Sequence, residues 1–156
     1  MRSTVGELPE PVAELCFVRF GLVVRKLSAM GFVRRLSRQV DRSAAEAMAS
    51  GAGLLHSERF AMGWRHQGVL QYWAGFEAME AWSRKAPHAD WWRAAVERMR
   101  VRGDFGVYHE AFVVARSQVE SIYLDCPPVG LSAFGITAEP VGTKTTARDR
   151  LGRRTL

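Results

Sequence analysis

The chain has 156 residues, 47% hydrophobic and 24% charged, with a formal net charge of +6. Length and composition fit one globular domain with a sizeable core, and two cysteines exclude a disulfide framework. The longest apolar run, Leu15 to Val24, is broken by Arg19 and too short to span a bilayer.

Residues 1–13, with Pro9 and Pro11, read as an irregular lead-in. Glu7, Glu10 and Glu14 interrupt the region where a secretory signal would start its apolar core, so a cytoplasmic location is expected. Leu15 to Arg25 reads as a strand rich in Phe, Val and Leu. Phe32, Val33, Leu36, Val40, Ala44, Ala47 and Met48 then recur at three- and four-residue steps. That spacing predicts an amphipathic helix of about four turns, stopped by Gly51 and Gly53.

Leu54 to Met62 and His66 to Trp73 form an expected antiparallel hairpin around Gly63-Trp64-Arg65. Phe76, Met79 and Trp82 mark a short helix that Pro87 ends. A further helix is expected with Asp90 as N-cap and Trp91 or Trp92, Ala95, Val96 and Met99 on its buried stripe. Gly103-Asp104 breaks it, and Phe105 to Ala115 is the last long strand. The fold class is therefore α+β, with the ferredoxin-like order βαββαβ over residues 14–132.

The strands are apolar on both faces: Phe105, Val107, Ala111 and Val113 on one side of the last strand, Tyr108, Phe112 and Val114 on the other. A sheet wetted on one side alternates apolar with polar. Both faces should thus be covered, one by helices and the other by the sheet of a second subunit in a symmetric homodimer.

The positive charge does not make a convincing nucleic-acid site. From residue 141 onward, Lys144, Arg148, Arg150, Arg153 and Arg154 face only Asp149 in acid, so residues 133–156 read as a basic, disordered tail. Arg34, Arg35, Arg38 and Arg42 fall on the solvated side of the first helix. Neither group carries interleaved aromatics that would stack bases. A binding module using these cations stands as an alternative to an enzyme, with no membrane partner expected.

His56, His66, His88 and His109 show no metal-ligand spacing. His56 and His66 flank the hairpin turn and are expected in solvent. His88 follows Pro87 and has general-base chemistry within reach. In "GVYHEAFVV", Gly106 to Val114, strand alternation sends His109 and Glu110 to opposite faces. His109 is assigned to the pocket between sheet and helices. Glu110 is expected to pair at the second subunit, with the reverse assignment and a catalytic Glu110 kept open. Cys16 reads as a small buried hydrophobe.

"QYWAGFEAMEAW" (Gln71 to Trp82), His88 with Trp92, "GVYHEAFVV" and "VESIYLDCPPVGL" (Val119 to Leu131) occur in that order. Together they resemble the monooxygenase-like family named for a fumagillin-pathway enzyme, within the antibiotic-biosynthesis-monooxygenase group. The resemblance implies a dimeric α+β barrel that oxidises a small hydrophobic natural-product intermediate with O2, without flavin, haem or metal. On it, His109 or His88 is the base, with Glu110 a further catalytic candidate. Trp73, Tyr72, Tyr108, Trp92, Phe112 and Tyr123 line or orient the substrate. Related barrels bind haem and dehydrate aldoximes, or isomerise and cyclise without a cofactor. Departures at Tyr108, Ala111, Phe112, Asp125 and Cys126 from the family's pattern leave substrate and reaction type open.

Overall fold

The computed structural model describes residues 2–140 and 146–152. Among these described residues, seven strands and four α-helices follow in the order β1 (Ser3–Glu7), β2 (Glu14–Val24), α1 (Met30–Ala49), β3 (Leu54–Ala61), β4 (His66–Trp73), α2 (Phe76–Ser83), α3 (His88–Arg102), β5 (Phe105–Ala115), β6 (Tyr123–Leu124), β7 (Ile136–Ala138) and α4 (Ala147–Arg150). From β2 to β5 this is the expected βαββαβ unit, with the second helical region split at Pro87. Its four strands form an antiparallel sheet in the order β3-β4-β2-β5. The longest ladder, β2 with β5, runs from Glu14↔Ala115 to Val24↔Phe105.

Helix α1 exists because Val33, Leu36, Val40, Ala44 and Ala47 form one buried stripe. That stripe packs on Cys16, Val18, Phe20, Leu22 and Val24 of β2 to make the main core. Burial pushes the Cys16 thiol up, with Glu14 and Glu77 adding to it, so this cysteine stays a neutral packing group. Helix α3 ends where Gly103 takes a left-handed conformation, φ 54°, and donates its N–H to Met99 O. Among the described residues no helix is long and apolar enough to cross a membrane.

Several expectations need correction. Helix α3 starts at His88 with Pro87 in the cap position, so Asp90 sits in its first turn instead of capping it. Proline suits a helix start because no N–H is required there. Trp91 and Ala95 are buried as expected, while Val96 is 42% exposed. The lead-in is not irregular: Ser3–Glu7 is a strand between β6 and β7. Its partners lie more than a hundred residues away, Ser3 opposite Leu124 and Val5 opposite Ala138, so nothing local announces it.

The tail also carries structure. Ile136–Ala138 is strand β7, and α4 is a single turn whose cap pairs Thr146 Oγ1 with the Asp149 N–H at 3.1 Å. Residues 141–145 and 153–156, with Lys144, Arg153 and Arg154, lie outside the described residues.

The sheet face opposite the helices is covered at one end by this small three-stranded sheet. Leu8, Leu15 and Leu131 are buried there against Val12, Leu55, Tyr72, Val119, Tyr123 and Phe134. Part of the cover assigned to a second subunit is therefore supplied by the chain's own ends. Beyond it Phe112 remains 52% exposed.

Candidate functional site

A cavity of about 870 Å³ lies between the helix face of the sheet and helices α1, α2 and α3. That volume suits a small organic ligand. Its floor is Val18, Phe20, Val69, Gln71 and Trp73, all on one face of β2 and β4. Its roof is Phe76, Met79 and Trp82 of α2, His88, Trp91 and Trp92 of α3, and Val40 and Ser43 of α1. His109 and Ala111 close the β5 side.

The polar groups of the wall are few and mostly fixed. Trp82 Nε1 donates to Ser43 Oγ at 3.0 Å, and Trp73 Nε1 donates to Gln71 Oε1 at 3.2 Å. The second bond turns the amide nitrogen of Gln71 into the group left to meet a ligand. Arg84 and Arg93 sit at the rim, engaged by Glu80 at 2.8 Å and Asp90 at 3.2 Å.

His88 Nδ1 lies 2.9 Å from the carbonyl oxygen of Ser83. A carbonyl only accepts, so Nδ1 carries the proton and, in the neutral ring, Nε2 carries the lone pair. The ring meets Trp91 edge-on at 4.3 Å. Burial lowers the His88 pKa below the ordinary imidazole value; the Ser83 carbonyl opposes this and His109 adds to it. His109 pairs with Phe20 in the β2–β5 register and therefore shares the cavity face. The residue is exposed at the sheet edge, yet loss of water on the cavity side also lowers its pKa. Neither of its ring nitrogens has a hydrogen-bond partner among the described residues. At neutral pH the cavity thus presents two uncharged imidazoles, the form that accepts protons.

The other expected site residues lie elsewhere. His88, His109, Trp73 and Trp92 come together in the cavity wall. Glu110, Tyr108, Phe112 and Tyr72 occupy the opposite face of the sheet, in register with Arg19, Gly21 and Phe17. Glu110 pairs within its own chain, 3.3 Å from Arg19 Nη1. Tyr108 lies across Gly21, where an added Cβ would stand 2.2 Å from the ring, and its hydroxyl meets His66 Nε2 at 2.8 Å. His66 is half-buried rather than solvated, and His56 likewise, 3.4 Å from Glu58.

Tyr72 and Tyr123 belong to the smaller core under the chain's ends. Burial, then the charge of Glu58, pushes the Tyr72 hydroxyl up to about 12, so it stays protonated. Tyr123 accepts the Ser132 N–H at 3.2 Å, a structural bond. Sequence reasoning missed Gln71, Ser43 and Met79. Gln71 had a readable signal, two residues before Trp73 and so on the same strand face.

The model of the monooxygenase af470-like family matches residues 16–131. The chain belongs to that family. No protein of curated function matches it. Among solved structures it is similar to a crystal structure of aldoxime dehydratase, with a TM-score of 0.69 and 20% identity over 97% of this chain and 44% of that one. It is also similar to the aldoxime dehydratase OxdRE in complex with butyraldoxime, with a TM-score of 0.63 and 17% identity over 96% of this chain and 42% of the other. The chain spans less than half the length of these enzymes. At such identity the likeness shows the fold alone, a ferredoxin-like α+β fold.

Proposed function

We propose that this monooxygenase-like chain is an enzyme that oxidises a hydrophobic, natural-product-like molecule held in the cavity between sheet and helices. One observation carries the reading: two uncharged imidazoles open on a single aromatic-walled cavity, and the Nδ1 of one is committed to the Ser83 carbonyl. His88 Nε2 removes a proton from an activated CH2 group of the substrate. Gln71 is placed to donate to the oxygen on which the resulting charge collects. The carbanion gives its electrons to O2, forming a C–O bond, and the peroxide takes a proton back. Loss of the second C–H proton with water leaves a ketone: R2CH2 + O2 gives R2C=O + H2O. His109 is the second proton carrier, and Trp73 and Trp92 hold the ring system.

The test is O2 uptake by the purified protein with 1,3-dicarbonyl compounds and polycyclic phenols, which form such anions readily. His88→Ala should lower turnover about a hundredfold or more, the usual worth of a placed base. Unchanged turnover in both His88→Ala and His109→Ala would sink the acid–base assignment.

A second reading rests on His109, whose ring nitrogens have no protein partner in the cavity wall. The apolar walls, that imidazole and the rim arginines Arg84 and Arg93 fit a haem, whose iron His109 would hold. Bound there, haem supplies a redox-active, Lewis-acidic iron. Titration with hemin decides the matter: a Soret band abolished by His109→Ala supports this reading, and free-hemin spectra throughout exclude it.

We further propose a homodimer. Strand β5 is an edge of the sheet and exposes Phe112 and Val113 at 52% and 50%, the kind of apolar edge that a second copy covers. Light scattering of the protein and of Phe112→Glu tests it; a monomeric mass for the unsubstituted protein overturns it.

A further inference from the structure

Among the described residues, the four most exposed large apolar side chains are Val101, Leu27, Met62 and Trp64, at 68%, 67%, 65% and 60%. They come from three separate segments, and the topology brings all three to one end of the sheet. Leu27 follows the end of β2, Met62 and Trp64 form the β3–β4 turn, and Val101 is in the last turn of α3, just before β5.

Backbone hydrogen bonds stitch these segments together. Val24 N donates to Arg65 O at 2.7 Å, and both Arg25 N and Lys26 N donate to Asp104 O at 2.9 Å. Arg98 adds a bond from Nη2 to Ser28 O at 3.3 Å.

The same end is basic. Arg25, Lys26, Arg65 and Arg102 are exposed, and among the described residues none has an acidic partner. The Arg65 guanidinium lies over the Trp64 ring at 4.4 Å. The nearby acids are already engaged: Asp104 is buried, 2.5 Å from Arg98, and Glu97 is 2.9 Å from Arg100. Apolar knobs among unpaired cations match the boundary of an anionic bilayer, where indole and aliphatic groups enter the headgroup region and cations meet phosphates and carboxylates.

We propose that this end of the molecule docks on an anionic lipid surface. This departs from the sequence-based expectation of no membrane partner, which rested on the absence of a spanning segment. Single-stranded nucleic acid fits less well, because three of the four knobs are aliphatic and offer no face for base stacking. A second copy fits less well too, since two such ends bring like charges together.

The experiment is co-sedimentation of the full chain with vesicles of phosphatidylcholine alone or of phosphatidylcholine with phosphatidylserine. Binding to the mixed vesicles is expected, absent on pure phosphatidylcholine and weakened by salt. Each of Arg25→Gln, Lys26→Gln and Arg102→Gln should weaken it roughly fivefold. The double variant Met62→Ser/Trp64→Ser should weaken it about tenfold or more, and so should Leu27→Ser/Val101→Ser on the other two segments. Near-UV circular dichroism checks that each variant folds.

Three results overturn the proposal. The first is no vesicle binding, including the case where only heparin or DNA retains the protein. The second is vesicle binding that none of these variants changes, which places it on the basic C-terminal segment. The third is a change of oligomeric mass in the double variants without a change in vesicle binding, which makes the patch a subunit contact.

Discussion

Arg19 and Glu110 stand directly opposite one another across the β2–β5 ladder, 3.3 Å apart, on the face of the sheet that turns away from His109. Neighbours in sequence, His109 and Glu110 therefore serve different surfaces, one the wall of a cavity under the helices and the other an open face. Arg19 also lies over the rings of Phe60 and Tyr108, at 5.3 and 5.1 Å, which holds the guanidinium in place for the carboxylate.

Glu110→Gln should change little. Both members of the pair are substantially exposed, at 34% and 46%, and such pairs contribute about 0–1 kcal/mol. Urea denaturation should show a shift within that range, with turnover unchanged. A large loss of turnover in a well-folded Glu110→Gln would move the chemistry to the opposite face.

Stability should fall as the medium becomes acidic. Burial holds His88 and His109 below the ordinary imidazole pKa. The unfolded chain therefore binds more protons than the folded one between their lowered values and about 6.5. Their contribution is fully present above about pH 6.5 and is lost as pH drops through that window. Denaturation midpoints of the protein and of His88→Gln across pH 5 to 8, on the order of the range where imidazole titrates, check this. The variant should show a flatter acid limb, and an identical limb would contradict the buried, neutral assignment.

Ala111→Trp should block the cavity without unfolding the protein. Ala111 lines the cavity yet is exposed at the edge strand, so the added ring has room to enter the cavity. Binding of a hydrophobic ligand, followed by quenching of tryptophan fluorescence, should weaken at least tenfold, on the order of one buried apolar side chain's worth of lost space. Undiminished affinity would place the ligand elsewhere.

Gly68→Ala should destabilise more than Gly21→Ala. A Cβ at position 68 would stand 2.1 Å from the Phe20 carbonyl oxygen, a backbone atom, while one at position 21 meets the side chain of Tyr108. A ring can swing aside, and a ladder carbonyl cannot. Losses of about 1–3 kcal/mol, typical of overpacking, are expected for Gly68→Ala and smaller ones for Gly21→Ala, measured by chemical denaturation.

Much of the fold was legible because its punctuation is local. Strands β4 and β5 lie between turn residues and have the predicted bounds, His66–Trp73 and Phe105–Ala115. Strand β1 was not legible, since its pairing with Tyr123 and Ala138 is a property of distant segments. For the site, alternation along β5 was enough to put His109 with Ala111 and to set Tyr108, Glu110 and Phe112 apart. The family resemblance overrode that rule, grouping Tyr72, Tyr108 and Phe112 with the pocket. Their parity already excluded them. The depth and walls of the cavity depend on how α2 and α3 meet around Pro87, which no local pattern encodes.

The two imidazoles of the cavity are anchored in very different ways. His109 rides on β5, held to β2 along eleven register pairs, whereas the His88 ring is moored to the last turn of α2 through its hydrogen bond with the Ser83 carbonyl. The gap between the rings is therefore a gauge of how the helical elbow sits over the sheet. On the proposed reading, a guest large enough to touch both sets that gauge itself, and the spacing for proton transfer is chosen by the molecule being bound.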